Sequence, residues 1–230
     1  VSSFEWMSFE LERAMTKVEV LAEIKRIGLL PVLRAESEEQ AMQLAGAIAD
    51  CGVTVLEVTM TVPGALRVMA RLAKERPEIL VGAGTVLDAE TAHACIEEGA
   101  QFVVSPAFNP KTVAMCQRHE IAVLPGALTP TEILTAWEAG ADVVKVFPAS
   151  AMGGAKYLKS IKAPLPQIEL IPTGGVSLAT AREFLEAGAY ALGVGAELVD
   201  TKAIAAGHAW KITENAKKYL EIVREFQQVE

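Results

Sequence analysis

Short apolar, largely β-branched runs recur roughly every 25 residues along the chain, at residues 29–33, 53–58, 80–83, 102–104, 122–124, 143–147, 168–171 and 191–194. They lack strict apolar–polar alternation, the mark of strands buried on both faces as in a parallel sheet. Between them, apolar positions fall at helical spacing over residues 38–51, 64–75, 89–99, 129–139 and 178–187. Four of these stretches run into a glycine, Gly52, Gly99, Gly140 and Gly188. That fits a helix closed by a C′ glycine that turns the chain into the next strand. Eight strand–helix units predict an α/β protein whose strands close into a (β/α)8 TIM barrel. An open doubly wound sheet is the alternative.

Length and composition narrow the picture. A chain of 230 residues, 51% hydrophobic, can fill one large core, so residues 16–230 are expected to form a single domain. Residues 1–15 read as an N-terminal helical extension. In it Phe4, Trp6 and Phe9 are interleaved with acidic residues, so the segment is either an amphipathic docking helix or an appended remnant. The net charge of −8 is spread over 29 acidic and 21 basic residues without long single-sign blocks. No partner of the nucleic-acid or membrane kind is therefore expected, and a small anionic substrate would be held by local donors. Cys51, Cys95 and Cys116 are odd in number and lack metal-binding spacing, which points to a reducing, cytoplasmic location and no metal. No apolar run has the length of a membrane span, and no secretory signal pattern opens the chain.

In a barrel the chemistry belongs at the C-terminal ends of the strands. Lys145 lies inside the apolar run Val143-Val144-Lys145-Val146-Phe147, where an ammonium would be costly to bury without purpose. A desolvated amine can attack a ketone and form a Schiff base. Glu57 sits in a similarly apolar run and could move the protons that such chemistry needs. The plainer alternative is a structural pair between the two, or a lysine reaching to solvent. Arg34 ends the first strand with a guanidinium suited to a keto-acid carboxylate, unless it is a surface ion pair. Thr85, after Gly82-Ala83-Gly84, offers a hydroxyl and backbone amides at a tight turn, although the glycines would serve such a turn in any case. Gly174-Gly175 and Gly193 to Ala196 stand where barrels often bind phosphate through backbone amides. Met152-Gly153-Gly154 reads as a flexible loop bordering the substrate. His93, His119 and His208 fall on helices or their ends, away from this rim.

Several segments together resemble the 2-keto-3-deoxy-6-phosphogluconate (KDPG) and 4-hydroxy-2-oxoglutarate (KHG) aldolases. They are Leu56-Glu57-Val58-Thr59, Gly82-Ala83-Gly84-Thr85, Val104-Ser105-Pro106, Leu124-Pro125-Gly126, Lys145-Val146-Phe147-Pro148 and Pro172-Thr173-Gly174-Gly175. The resemblance spans about Val18 to Val223 and implies a metal-free, cofactor-free, homotrimeric class I aldolase. Such an enzyme cleaves KDPG to pyruvate and glyceraldehyde 3-phosphate. It implies Lys145 as Schiff-base nucleophile, Glu57 as acid/base and Thr85 as a carboxylate ligand, with Thr173, Gly174 and Gly175 along the substrate and its phosphate. Pro106, Phe147, Gly195 and Ala196 complete the expected substrate site.

Two departures stand out. Some members carry an arginine four residues after the catalytic glutamate, where this chain has Thr61; those with a T-V-P segment there use the arginine corresponding to Arg34. Ala196 replaces a serine near the phosphate in many relatives. The loss of that hydroxyl raises the alternative of KHG as substrate, giving pyruvate and glyoxylate. A phosphate-binding barrel epimerase or isomerase, using Glu57 and Lys145 without a covalent intermediate, is a further alternative, as is a non-catalytic scaffold.

Overall fold

In the computed structural model, residues 15–228 are described. The expected extension lies outside them except for Met15. The first described helix, α1 (Lys17–Ile27), begins with a reciprocal cap: Thr16 Oγ1 accepts from the Glu19 amide, and Glu19 accepts from the Thr16 amide. Side-chain caps also open α2 (Glu38–Ala49) at Ser37, α4 (Ala89–Glu97) at Asp88, α5 (Pro110–Arg118) at Asn109 and α6 (Pro130–Glu138) at Thr129. The remaining helices are α3 (Ala65–Glu75), α7 (Ala155–Lys162), α8 (Ala181–Glu186), α9 (Thr201–Ala205) and α10 (Ala209–Gln227).

The strands are β1 (Leu29–Leu33), β2 (Val55–Thr59), β3 (Leu80–Gly84), β4 (Phe102–Val104), β5 (Ala122–Leu124), β6 (Gly126–Ala127), β7 (Val144–Val146), β8 (Leu170–Pro172) and β9 (Leu192–Val194). All are buried along their length, as their unbroken apolar runs require. They form two wholly parallel sheets, ordered β5-β4-β3-β2-β1-β9 and β6-β7-β8. The sheets adjoin in two places. Pro125 separates β5 from β6: it has no N–H to give a ladder, but its carbonyl accepts from the Lys145 amide at 2.9 Å. On the other side, isolated parallel bridges Leu170↔Ala189 and Thr173↔Gly193 connect β8 to the approach and body of β9.

The sequence expectations at 29–33, 102–104 and 122–124 match their strands end to end, and all four helix-terminating glycines have φ between 89° and 94°. Differences are local. β2 starts at Val55, and the expected helix over 178–187 contracts to α8 because Thr180 Oγ1 accepts from the Ser177 amide and holds that stretch in a turn. The expected loop at Met152 is a 3₁₀ turn, Ala149–Met152, with Gly153 and Gly154 beyond it in left-handed φ. Among the described residues, no helix is long and apolar enough to cross a membrane.

Candidate active site

Glu57 is the central residue of β2 and Lys145 the central residue of β7, so the two come from different sheets. Their side chains meet in the interior, Lys145 Nζ 3.6 Å from Glu57 Oε1, with 8% and 1% of the side chains exposed. This is longer than a charge-assisted hydrogen bond of about 2.7–2.9 Å. Glu57 Oε1 is buried without any hydrogen-bond donor. Leaving a buried acceptor unsatisfied costs about 1–3 kcal/mol, so a purely structural pair would be expected to close this gap.

The local sequence makes room for the carboxylate. Gly84 is the register partner of Thr59 on the strand next to Glu57, and a Cβ built on it would overlap the Glu57 carboxylate. Lys145 Nζ also lies 5.5 Å from the centroid of the Phe147 ring, which covers it with a π face. Phe147 is followed by a cis peptide to Pro148.

Beside this pair, over the ends of β1, β8 and β9, opens a cavity of about 390 Å³. Seven of the expected residues line it: Arg34, Phe147, Thr173, Gly174, Gly175, Gly195 and Ala196. Arg34 has no ion-pair partner among the described residues, against its plainer reading as a surface salt bridge. Gly174 and Gly175 have φ of 87° and 78°, and a Cβ on Gly175 would overlap Ser150, so a side chain there meets both strain and obstruction.

Pro106 stands apart from that group. It lines a second cavity of about 350 Å³ with Ala107, Phe108, Leu128 and Glu132, and Phe147 borders both spaces. Thr85 lines neither, but it adopts φ 59°, a left-handed conformation uncommon for threonine, directly after β3. Lys145 and Glu57 are in neither cavity wall; they lie buried beneath the rim.

Sequence reasoning missed Glu197 and Thr201 on the wall of the larger cavity. The signal available was slight, an acidic residue directly after Gly195-Ala196. His93 lies in α4, His119 caps α5 and His208 precedes α10, as expected for residues away from the strand ends. Among the described residues no cluster of three or more His, Cys, Asp or Glu is arranged to hold a metal ion.

A buried lysine facing an unsatisfied carboxylate, beside a cavity with one free guanidinium, is an arrangement for carbonyl chemistry on an anionic substrate. The KDPG and KHG aldolase family matches residues 20–215. The chain belongs to this family. It is 35% identical over 206 residues to the 2-dehydro-3-deoxy-phosphogluconate aldolase of Treponema pallidum, covering 90% of this chain and 98% of that one. To the KHG/KDPG aldolase of Escherichia coli K12 it is 36% identical over 193 residues, covering 84% and 91% respectively. The KDPG aldolase of Legionella pneumophila, solved with pyruvate captured at low pH as a covalent carbinolamine intermediate, superposes with a TM-score of 0.80. That structure is 32% identical and the match covers 86% of this chain and 96% of that one. Among the described residues, Lys145 is the lysine buried in a strand.

Proposed function

We propose that the protein is a class I aldolase that cleaves KDPG to pyruvate and glyceraldehyde 3-phosphate, with Lys145 as nucleophile and Glu57 as proton carrier. The observation that carries this reading is the 3.6 Å approach of Lys145 Nζ to a Glu57 oxygen that has no hydrogen bond. Glu57 takes the proton that Lys145 sheds before attacking C2 of the keto acid, a role supported by their 3.6 Å approach. Carbinolamine formation follows, and the hydroxyl leaves as water with a proton returned by Glu57, giving an iminium. The iminium draws the electrons of the C3–C4 bond as the C4 hydroxyl gives its proton to the Glu57 carboxylate, releasing the aldehyde and leaving an enamine. Protonation at C3 and hydrolysis then free pyruvate and Lys145. The iminium formed on Lys145 is the electron sink, so the reaction calls for no metal or cofactor.

Arg34 and Thr85 take the substrate carboxylate. Phe147 forms the apolar wall, with Pro106 beyond it on the second cavity, and Thr173, Gly174, Gly175, Gly195 and Ala196 follow the tail. A second reading, cleavage of KHG to pyruvate and glyoxylate, is favoured by Ala196, which brings no hydroxyl to the tail.

The architecture proposed is one domain over residues 16–230 whose sheets close as a (β/α)8 barrel. With β5 and β6 counted as one strand interrupted at Pro125, Glu57 and Lys145 fall on the second and sixth of eight strands, opposite each other in a ring. Their side-chain contact and the β8–β9 bridges support that closure. A cytoplasmic homotrimer accords with the resemblance, and Leu87 and Trp137, exposed at 61% and 40%, offer apolar surface for a neighbouring copy.

Borohydride reduction in the presence of pyruvate tests the reading. A stable adduct on Lys145, located by peptide mass, is expected. An unmodified protein that still epimerises a sugar phosphate would replace the aldolase by a non-covalent isomerase.

A further inference from the structure

The wall of the larger cavity that follows β9 is acidic. Glu197 lines it directly after Gly195 and Ala196, and its carboxylate has no ion-pair partner among the described residues. Barrels commonly bind phosphate here, through the loops after the last two strands and the first amides of a short helix. In this chain the first amides of the five-residue α9 are engaged, since Asp200 Oδ1 accepts from the backbone N–H of Lys202 and Ala203 at 2.9 and 3.0 Å, which leaves the loop amides from Gly195 to Glu197, beside the Glu197 carboxylate itself. Arg34 is the only cationic side chain among the described residues lining the cavity, and it leaves β1, next to the β2 that carries Glu57. The other side-chain polar groups of the wall are the hydroxyls of Thr173 and Thr201.

These observations set two anionic side chains, one lining the cavity and one capping α9, where a phosphorylated tail would need donors. From them we infer that Glu197 is a specificity-determining residue, which reduces the advantage of a phosphorylated tail over a neutral, polyhydroxylated one. The carboxylate repels a phosphate dianion, and it accepts hydrogen bonds from the hydroxyls of an uncharged tail, beside Thr173 and Thr201. Phosphate binding then falls to the backbone amides around Gly174, Gly175 and Gly195, since Arg34, the one cation on the wall among the described residues, is assigned to the carboxylate. The inference rests on the aldolase reading above.

The test is the ratio of kcat/KM for KDPG to that for its unphosphorylated counterpart, 2-keto-3-deoxygluconate, in the wild type, Glu197→Gln and Glu197→Ala. Removing a unit charge a few ångströms from a dianion in water is worth on the order of tenfold. The ratio is therefore expected to rise by roughly that factor in both variants, through a gain on KDPG and a loss on the neutral substrate. Pyruvate trapping by borohydride counts competent sites in each preparation, so a misfolded fraction does not enter the ratio. A ratio that stays the same or falls in both variants, with trapping intact, overturns the inference and leaves the aldolase reading standing. Failure of the wild type to trap pyruvate overturns the aldolase reading, and the inference with it.

Discussion

Lys145 on β7 and Glu57 on β2 touch across the interior from two different sheets, 3.6 Å apart, with the facing Glu57 oxygen free of hydrogen bonds. Their separation decides what each substitution should do.

Lys145→Arg keeps a cation beside Glu57 but cannot lose its proton near neutral pH, so turnover and borohydride trapping should both disappear while the fold is retained. Lys145→Ala should lose the same activities and also about 3–5 kcal/mol of stability, because it leaves a buried carboxylate uncompensated. Peptide mass analysis after reduction, with a urea titration alongside, separates the two effects. Near wild-type cleavage by either variant would remove Lys145 from the mechanism.

Glu57→Gln preserves shape and removes the proton-carrying group. It should lower kcat by about 10²–10⁴-fold. Removing the counter-charge also leaves the Lys145 ammonium buried beside a neutral amide, so up to about 3–5 kcal/mol of stability should be lost with it, as after Lys145→Ala. Steady-state kinetics and thermal melting on the same preparation check this. A variant that turns over normally but melts early would return Glu57 to a structural role.

Gly84→Ala tests whether the carboxylate needs the space beside it. The added methyl overlaps the Glu57 carboxylate, and overpacking of this kind costs about 1–3 kcal/mol. Activity is expected to fall at least tenfold as Glu57 is displaced, visible as reduced kcat. Unchanged kinetics would mean that the carboxylate position is not critical.

The three cysteines should differ in reactivity. Burial pushes the Cys95 thiol up to about 11 and the Cys116 thiol up to about 12, and raises that of half-buried Cys51 as well. The thiolate is the reactive form, so at pH 8 only about a thousandth of Cys95, and less of Cys116, is available even before access is considered. Iodoacetamide at pH 8 should label Cys51 slowly, and Cys95 and Cys116 only after denaturation. Rapid native labelling of Cys95 would contradict its burial.

The strands were legible because burial on both faces leaves an unbroken apolar run, and Leu29 to Leu33 shows it plainly. Gly126–Ala127 was not, since a two-residue strand behind Pro125 carries too few positions to display any period. In the site, Lys145 and Glu57 announced themselves as charges in apolar surroundings. The motif segments pointed to Thr173, Gly174 and Gly175 as residues along the substrate, and all three line the larger cavity. Glu197 did not stand out, because an acidic residue next to a glycine-rich turn looks like ordinary solvated surface until the cavity beside it is known. Pro106 appeared to belong with Arg34, yet it borders a separate space, because adjacency around a curved sheet depends on strand order and cannot be read from a motif.

Phe147 borders both cavities, so its ring acts as a partition between two rooms of similar size, about 390 and 350 Å³. On the proposed mechanism, the size of this one side chain sets how much room lies next to the Lys145 amine, 5.5 Å from its ring.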